Sequence, residues 1–294
     1  MSAQTVCAAR SHLKPCSLLV AILLAAGAPA RASDTDSEHL FGFTEGADIG
    51  KRGEREAETE TIGRFGKSAG SFGAITQNDQ VKAVPFANFR IGANLALAWF
   101  DISGVPGLSD QQLATIAGAS FETRFMLLDR RNAPFGLTLI AEPRWGRADA
   151  SSGEQRANYA GTLTLATDRE LIDNRLFGAF NVLYEPKATR MPTGDLWQYD
   201  SQIGISAALA TRVSTALFLG GEVRYLRAYD GLGLNTFSGQ TVFVGPTFYL
   251  QIAKGMALSG AWNVQLYGNT TSGGALDLTH FERQQAKVRF NVNF

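Results

Sequence analysis

The last ten residues of the chain, Gln285-Ala286-Lys287-Val288-Arg289-Phe290-Asn291-Val292-Asn293-Phe294, alternate without interruption. Ala286, Val288, Phe290, Val292 and Phe294 fall on one side; Gln285, Lys287, Arg289, Asn291 and Asn293 fall on the other. A period of two is a strand with one apolar and one polar face. In water such a strand invites aggregation. It is satisfied where the apolar face meets lipid and the polar face a wet lumen, the pattern of a transmembrane barrel.

The same alternation recurs upstream. It predicts twelve strands, at about 54–66, 71–83, 87–101, 115–128, 135–147, 156–167, 175–185, 198–209, 215–227, 240–252, 256–267 and 282–294. The third is clean, with Phe89, Ile91, Ala93, Leu95, Leu97 and Trp99 opposite Asn88, Arg90, Gly92 and Asn94. The first is weak: Glu54, Glu56, Glu58 and Glu60 share one face, but Ala57, Thr59 and Thr61 make a poor lipid surface. Ten strands is the alternative count. The joins alternate between short ones (Val84-Pro85, 129–134, 168–174, 210–214, 253–255) and longer ones rich in Gly, Ser, Asn and Asp (103–114, 148–155, 186–197, 228–239, 268–281). Tight periplasmic turns and freer extracellular loops give that rhythm, with both chain ends on the periplasmic side. Trp99, Trp145, Tyr159, Tyr184, Trp197, Tyr199, Tyr225 and Tyr229 sort to the long-loop ends, and Phe89, Phe125, Phe135, Phe177 and Phe294 to the short-turn ends, as interfacial girdles require. The fold class expected is all-β, a closed antiparallel transmembrane β-barrel over residues 54–294. A mean hydropathy of −0.05 suits it, because lipid-facing and lumen-facing residues average out.

Residues 1–32 read as a secretory signal: Arg10 and Lys14, then the apolar run 18–26, then Ala30-Arg31-Ala32, with cleavage expected after Ala32. Both cysteines, Cys7 and Cys16, fall in that segment, so the mature chain holds no disulfide or thiol. The signal also takes Arg10, Lys14 and Arg31 from a chain with 27 basic and 27 acidic residues, leaving a slightly acidic protein without the footprint of a nucleic-acid binder. Residues 33–53 form a polar leader, expected in the periplasm or tucked into the lumen, with Leu40-Phe41-Gly42-Phe43 as its one apolar patch.

Two resemblances add to this. The amphipathic last strand ending in Phe290, Val292 and Phe294 resembles the assembly signal of Gram-negative outer-membrane barrels. The run Phe41-Gly42-Phe43-Thr44-Glu45-Gly46-Ala47-Asp48, followed by the Glu-rich 54–60, is similar to the start of uncharacterised proteobacterial outer-membrane proteins. They imply the outer membrane as location, with its lipid and the barrel assembly machinery as partners, and no activity.

The most distinctive polar pattern is Glu-x-Arg on the lumen face: Glu122/Arg124, Glu142/Arg144 and Glu222/Arg224. Arg90, Glu185, Lys287 and Arg289 add further charge inside. Arg124 is expected to pair with Glu142, and Glu122 with Arg144, across one hairpin. The bland reading is a lumen neutralised by its own ions; the functional one is a constriction that selects small solutes. Mixed signs argue against strong ion selectivity. The acidic face of 54–60 is expected to meet Lys287 and Arg289 where the barrel closes. Only His39 and His280 remain after the signal. His280 with Ser272 and Asp277, or with Asp200 or Asp230, is the sole hydrolase-like grouping, and composition alone accounts for it. No cofactor is implied, and no His/Cys spacing fits a metal. The function expected is a narrow channel for passive diffusion of small solutes, with a closed structural or binding barrel as the alternative and an outer-membrane hydrolase as the remotest.

Overall fold

The computed structural model describes residues 35–192, 196–271 and 273–294. The expected signal segment with its cleavage site, and Ser272, lie outside them. Twelve strands follow one another: β1 (Arg55–Phe65), β2 (Ser71–Phe86), β3 (Phe89–Ser103), β4 (Gln111–Leu128), β5 (Gly136–Ala148), β6 (Gln155–Ile172), β7 (Leu176–Arg190), β8 (Trp197–Arg212), β9 (Leu217–Asp230), β10 (Thr236–Ala253), β11 (Met256–Thr270) and β12 (Gln284–Asn293). Each pairs antiparallel with its neighbours, and β12 closes on β1, so the sheet has no free edge. The chain ends help seal the seam, with backbone bonds from Phe294 N to Arg55 O (2.8 Å) and from Arg55 N to Phe294 O (3.2 Å).

The distribution of side chains is inverted relative to a soluble protein. Leu95, Leu139, Leu163, Leu165, Leu209 and Val288 stand exposed on the outer wall, while Lys82, Arg90, Glu122, Arg124, Lys287 and Arg289 are buried inside. Trp99, Trp145, Tyr159 and Tyr199 are exposed towards the long-loop end, and Phe125 and Phe294 towards the end that holds the termini.

The strands are longer than alternation suggests. β4, β7, β9, β10 and β11 grow into segments that read as loops, so the joins at the far end shrink to 104–110, 149–154, 191–196, 231–235 and 271–283. Pro85 does not make the β2–β3 turn. It sits inside β2, where the register slips between Ala83 and Phe86, a place that tolerates a residue without an N–H. Phe177 is not a girdle residue: it faces inward and is buried.

One register also differs. β5 pairs with β4 so that Ser120 lies opposite Arg144 and Arg124 opposite Ile140, two residues away from the pairing expected from the charges. Arg124 therefore does not meet Glu142, nor Glu122 Arg144. A slip of two leaves every residue on its own face, so alternation is blind to it.

Candidate functional site

The lumen is not empty. Residues 36–49 of the leader run through it, and Ser37, Glu38, His39, Leu40, Phe41, Thr44, Ala47 and Ile49 are all buried. Of the two expected placements of the leader, its described residues take the lumen.

Its apolar patch finds an apolar floor. Leu40 and Phe41 pack with Phe177 and Ala179 of β7, Ala208 and Ala210 of β8, and Phe218 of β9. Phe177 and Phe218 meet edge-on at 5.7 Å. Gly42 lies so close to the wall that a Cβ there would stand 2.5 Å from Ala261 Cβ and from a Glu222 oxygen. The next residue, Phe43, places its ring 4.2 Å from the Arg224 guanidinium.

Around this patch the leader's polar groups meet the wall. Glu222 accepts the backbone N–H of Phe43 (2.9 Å) and of Thr44 (2.9 Å), the Thr44 hydroxyl (3.0 Å) and Asn263 Nδ2 (2.9 Å). Asn181 clamps Glu45 at both ends of its peptide, accepting its N–H at 2.6 Å and donating to its carbonyl at 2.9 Å. Asp168 accepts from the Ser37 hydroxyl and from Ala47 N (3.2 Å), and Arg130 bridges it at 3.0 Å to Asp48 at 2.7 Å.

The ionic centre lies around Glu38 and His39. Glu38 takes both terminal nitrogens of Arg90 and lies 3.1 Å from Lys82 Nζ. Lys82 also reaches Glu56 and Glu58, each at 2.8 Å. Burial would push the Glu38 carboxyl up, but Arg90, His39 and Lys82 overcome it and hold it well below the usual carboxylate range. His39 Nε2 lies 3.0 Å from Glu56. Burial works against its imidazolium, and Arg289 stands 3.2 Å from Nδ1, yet the carboxylates of Glu38 and Glu56 prevail and raise its pKa above the ordinary value.

The residues singled out from sequence take these places. Arg90 reaches Glu38 and Glu122 (3.2 Å); Arg124 reaches Glu122 on its own strand (3.0 Å) and Glu45 of the leader (3.2 Å). Glu142 accepts from the Ser120 hydroxyl (2.7 Å), while Arg144 turns to Glu185 (3.1 Å), which also holds Gln202 (2.7 Å). Arg224 donates to Gln285 at 2.8 Å. Lys287 and Arg289 meet Glu60 across the β1/β12 seam at 2.8 and 2.7 Å. Missing from the sequence-based set are Glu38, His39, Glu45 and Asp48 of the leader and Lys82, Arg130 and Asp168 of the wall. Their visible signal is that β7 and β8 are apolar on the inner face as well, at Phe177, Ala179, Ala208 and Ala210, which requires something to cover them.

Water reaches the lumen from both ends. On the loop side Arg144 keeps 42% of its side chain exposed and Glu185 32%. On the terminal side a cavity of about 550 Å³ is bounded by Thr35, Asp36, Arg212, Tyr249, Asn291 and Asn293. Between them Glu38 and His39 are 2% and 1% exposed. The leader is the partition.

Two other groupings have local explanations. Glu38, His39, Glu56 and Glu58, the one group among the described residues with metal-ligand geometry, already enclose the Lys82 ammonium, which takes the place of a cation. His280 Nδ1 lies 3.0 Å from buried Asp277, whose carboxylate also accepts the N–H of Thr279 (3.2 Å) and of His280 (3.0 Å). That is a brace within loop 271–283, while Asp200 and Asp230 sit opposite each other on β8 and β9.

Among solved structures the barrel is similar to the COG4313 outer membrane channel from Pseudomonas putida F1, at 12% identity, 84% of this chain and 98% of that chain, with a TM-score of 0.61. It is similar also to the β domain of the Bordetella autotransporter BrkA, at 12% identity, 83% and 100% coverage and a TM-score of 0.53. At such identities the likeness is one of fold, that of outer-membrane barrels. No curated protein matches the sequence. One family model, described as a family of unknown function (DUF6662), matches residues 33–294.

Proposed function

Starting from a chain that belongs to this family of unknown function, DUF6662, we propose an outer-membrane channel for small polar solutes that is closed by its own leader. The observation that carries the reading is the partition. A barrel whose only role is structural can fill its lumen with wall side chains. Here the wall supplies a polar lining with wet chambers above and below, and a separate segment divides them. Its grip is charged and hydrogen-bonded at most points, with one apolar patch. The placement in the outer membrane follows from the apolar outer wall and from the fold; recovery of the protein in the soluble periplasmic fraction would remove it.

Planar-bilayer recording tests the closure. The intact mature chain is expected to conduct rarely and weakly. A barrel lacking residues 35–50 is expected to give steady conductance at least several-fold larger, and neutralising Glu142, Arg144 and Glu185 together should change its ion preference. A folded, leaderless barrel that conducts no better than the intact chain would leave the second reading, a closed barrel that binds partners through its loops.

A further inference from the structure

Among the described residues, the outer wall carries a charged polar cluster on β1 and β2. Asp79 of β2 lies opposite Thr59 of β1 and Leu95 of β3, on the lipid side. Its carboxylate accepts from the Thr59 hydroxyl (2.7 Å) and the Gln77 amide (3.1 Å), and Thr61 pairs with Gln77 in the next row. The depth of this patch can be read from the girdles. Trp99 is paired with Ile75, four residues from Asp79, and Phe89 with Phe86, seven residues the other way. With about 3.3 Å per residue and a tilt near 40°, Asp79 lies roughly 10 Å inside one girdle and roughly 18 Å inside the other. That is hydrocarbon depth, where an ionisable side chain is rare and points to a site even when it has polar neighbours.

The wall is also hollow there. A depression of about 680 Å³ runs over the small residues Ala57, Thr59, Ala93 and Ala119, between the larger Val81 and Phe290. Small residues let a neighbouring wall approach closely, as between helices in membranes.

We propose that this face of β1, β2 and β3 binds a second copy of the same chain. The patch carries its own complement: beyond the bonds from Thr59 and Gln77 of its own copy, the Asp79 carboxylate can still accept, while the Thr61 hydroxyl and the second Gln77 N–H can donate. Two copies in one membrane share an orientation, so their two-fold axis runs along the membrane normal and residues of equal height meet. With the axis at the β1/β2 boundary, Thr59 and Thr61 of one copy face Asp79 and Gln77 of the other, twice over. Such isologous pairing is the commonest form of self-association. A lone barrel would instead hold this cluster against acyl chains.

The inference rests on the membrane placement proposed above. With Cys7 and Cys16 in the segment expected to be removed, single cysteines report contacts cleanly. In native membranes, thiol cross-linking of Thr61→Cys is expected to give a species of doubled mass, and Leu209→Cys, on the exposed face of β8, none. Adding Asp79→Leu to Thr61→Cys should lose most of the doubled band, with folding checked by the heat-dependent gel mobility of the barrel. If that variant does not fold, the comparison of Thr61→Cys with Leu209→Cys still decides. Membrane-embedded protein that stays single at Thr61→Cys, cross-links equally at both faces, or joins a protein of different mass overturns the inference. Recovery as a soluble protein would overturn both it and the membrane placement.

Discussion

At the residue scale the lumen is governed by the rule that a buried ion needs a partner. Removing one member of a buried pair costs about 3–5 kcal/mol, because the other is left unpaired. Glu38, held by Arg90 and Lys82, and Glu45, between Arg124 and Arg289, are therefore the strongest fastenings of the leader. His39 makes the hold sensitive to pH. Its pKa is raised in the seated leader, so its contribution is fully present below the ordinary histidine value of about 6.5 and is lost as pH rises through the raised one. Glu38, Glu56, Glu58, Lys82 and Arg289 all face it. The leader should become more accessible to protease, and conductance should grow, as pH is raised above the ordinary histidine value of about 6.5. His39→Gln should flatten both responses, and an unchanged profile in that variant would rule out His39 as the sensor. Most charged residues of the wall could be placed on the lumen face from sequence, but their partners could not. The pairing of Arg124 with Glu142 failed because alternation fixes faces and leaves the register open by steps of two, and because leader carboxylates compete for the same cations.

At the scale of elements, the strands were legible and the leader was not. Strands announce themselves through a period of two, read against lipid on one side. The leader is irregular and polar, and its position is set by contacts with strands all around the wall, from β1 beside it in sequence to β12 at the far end of the chain. Only Leu40-Phe41 and the doubly apolar stretches of β7 and β8 point to one another. If the leader is the gate, fastening it should close the channel. Ala47 and Gly136 are a close pair: a Cβ at 136 would stand 2.9 Å from that of Ala47 and 2.4 Å from an Asp168 oxygen, so that carboxylate must turn aside and the two positions part to the roughly 3.8 Å of a disulfide. The pair Ala47→Cys/Gly136→Cys is expected to be silent in the bilayer when oxidised and to recover the openings of the intact chain when reduced. Equal conductance in both states would mean that solutes pass without moving the leader.

At the scale of the whole molecule the two mouths are unlike. The terminal side opens through the cavity beside Thr35 and Asp36. On the other side, residues 277–282 fold inward: Phe281 is buried with Leu226 and Phe243, and Lys67 donates to the Phe281 carbonyl at 2.9 Å. A peptide of residues 35–50 added to a leaderless barrel should thus block current when supplied from the terminal side and have at least tenfold less effect from the loop side. Block from the loop side alone would reverse the assignment of the mouths.

His39 touches Glu56 of β1 and lies beside Arg289 of β12, so the leader spans the joint at which the barrel closes. The residues that close the final joint are thus also residues that hold the segment, so seating the leader and sealing the barrel draw on the same contacts.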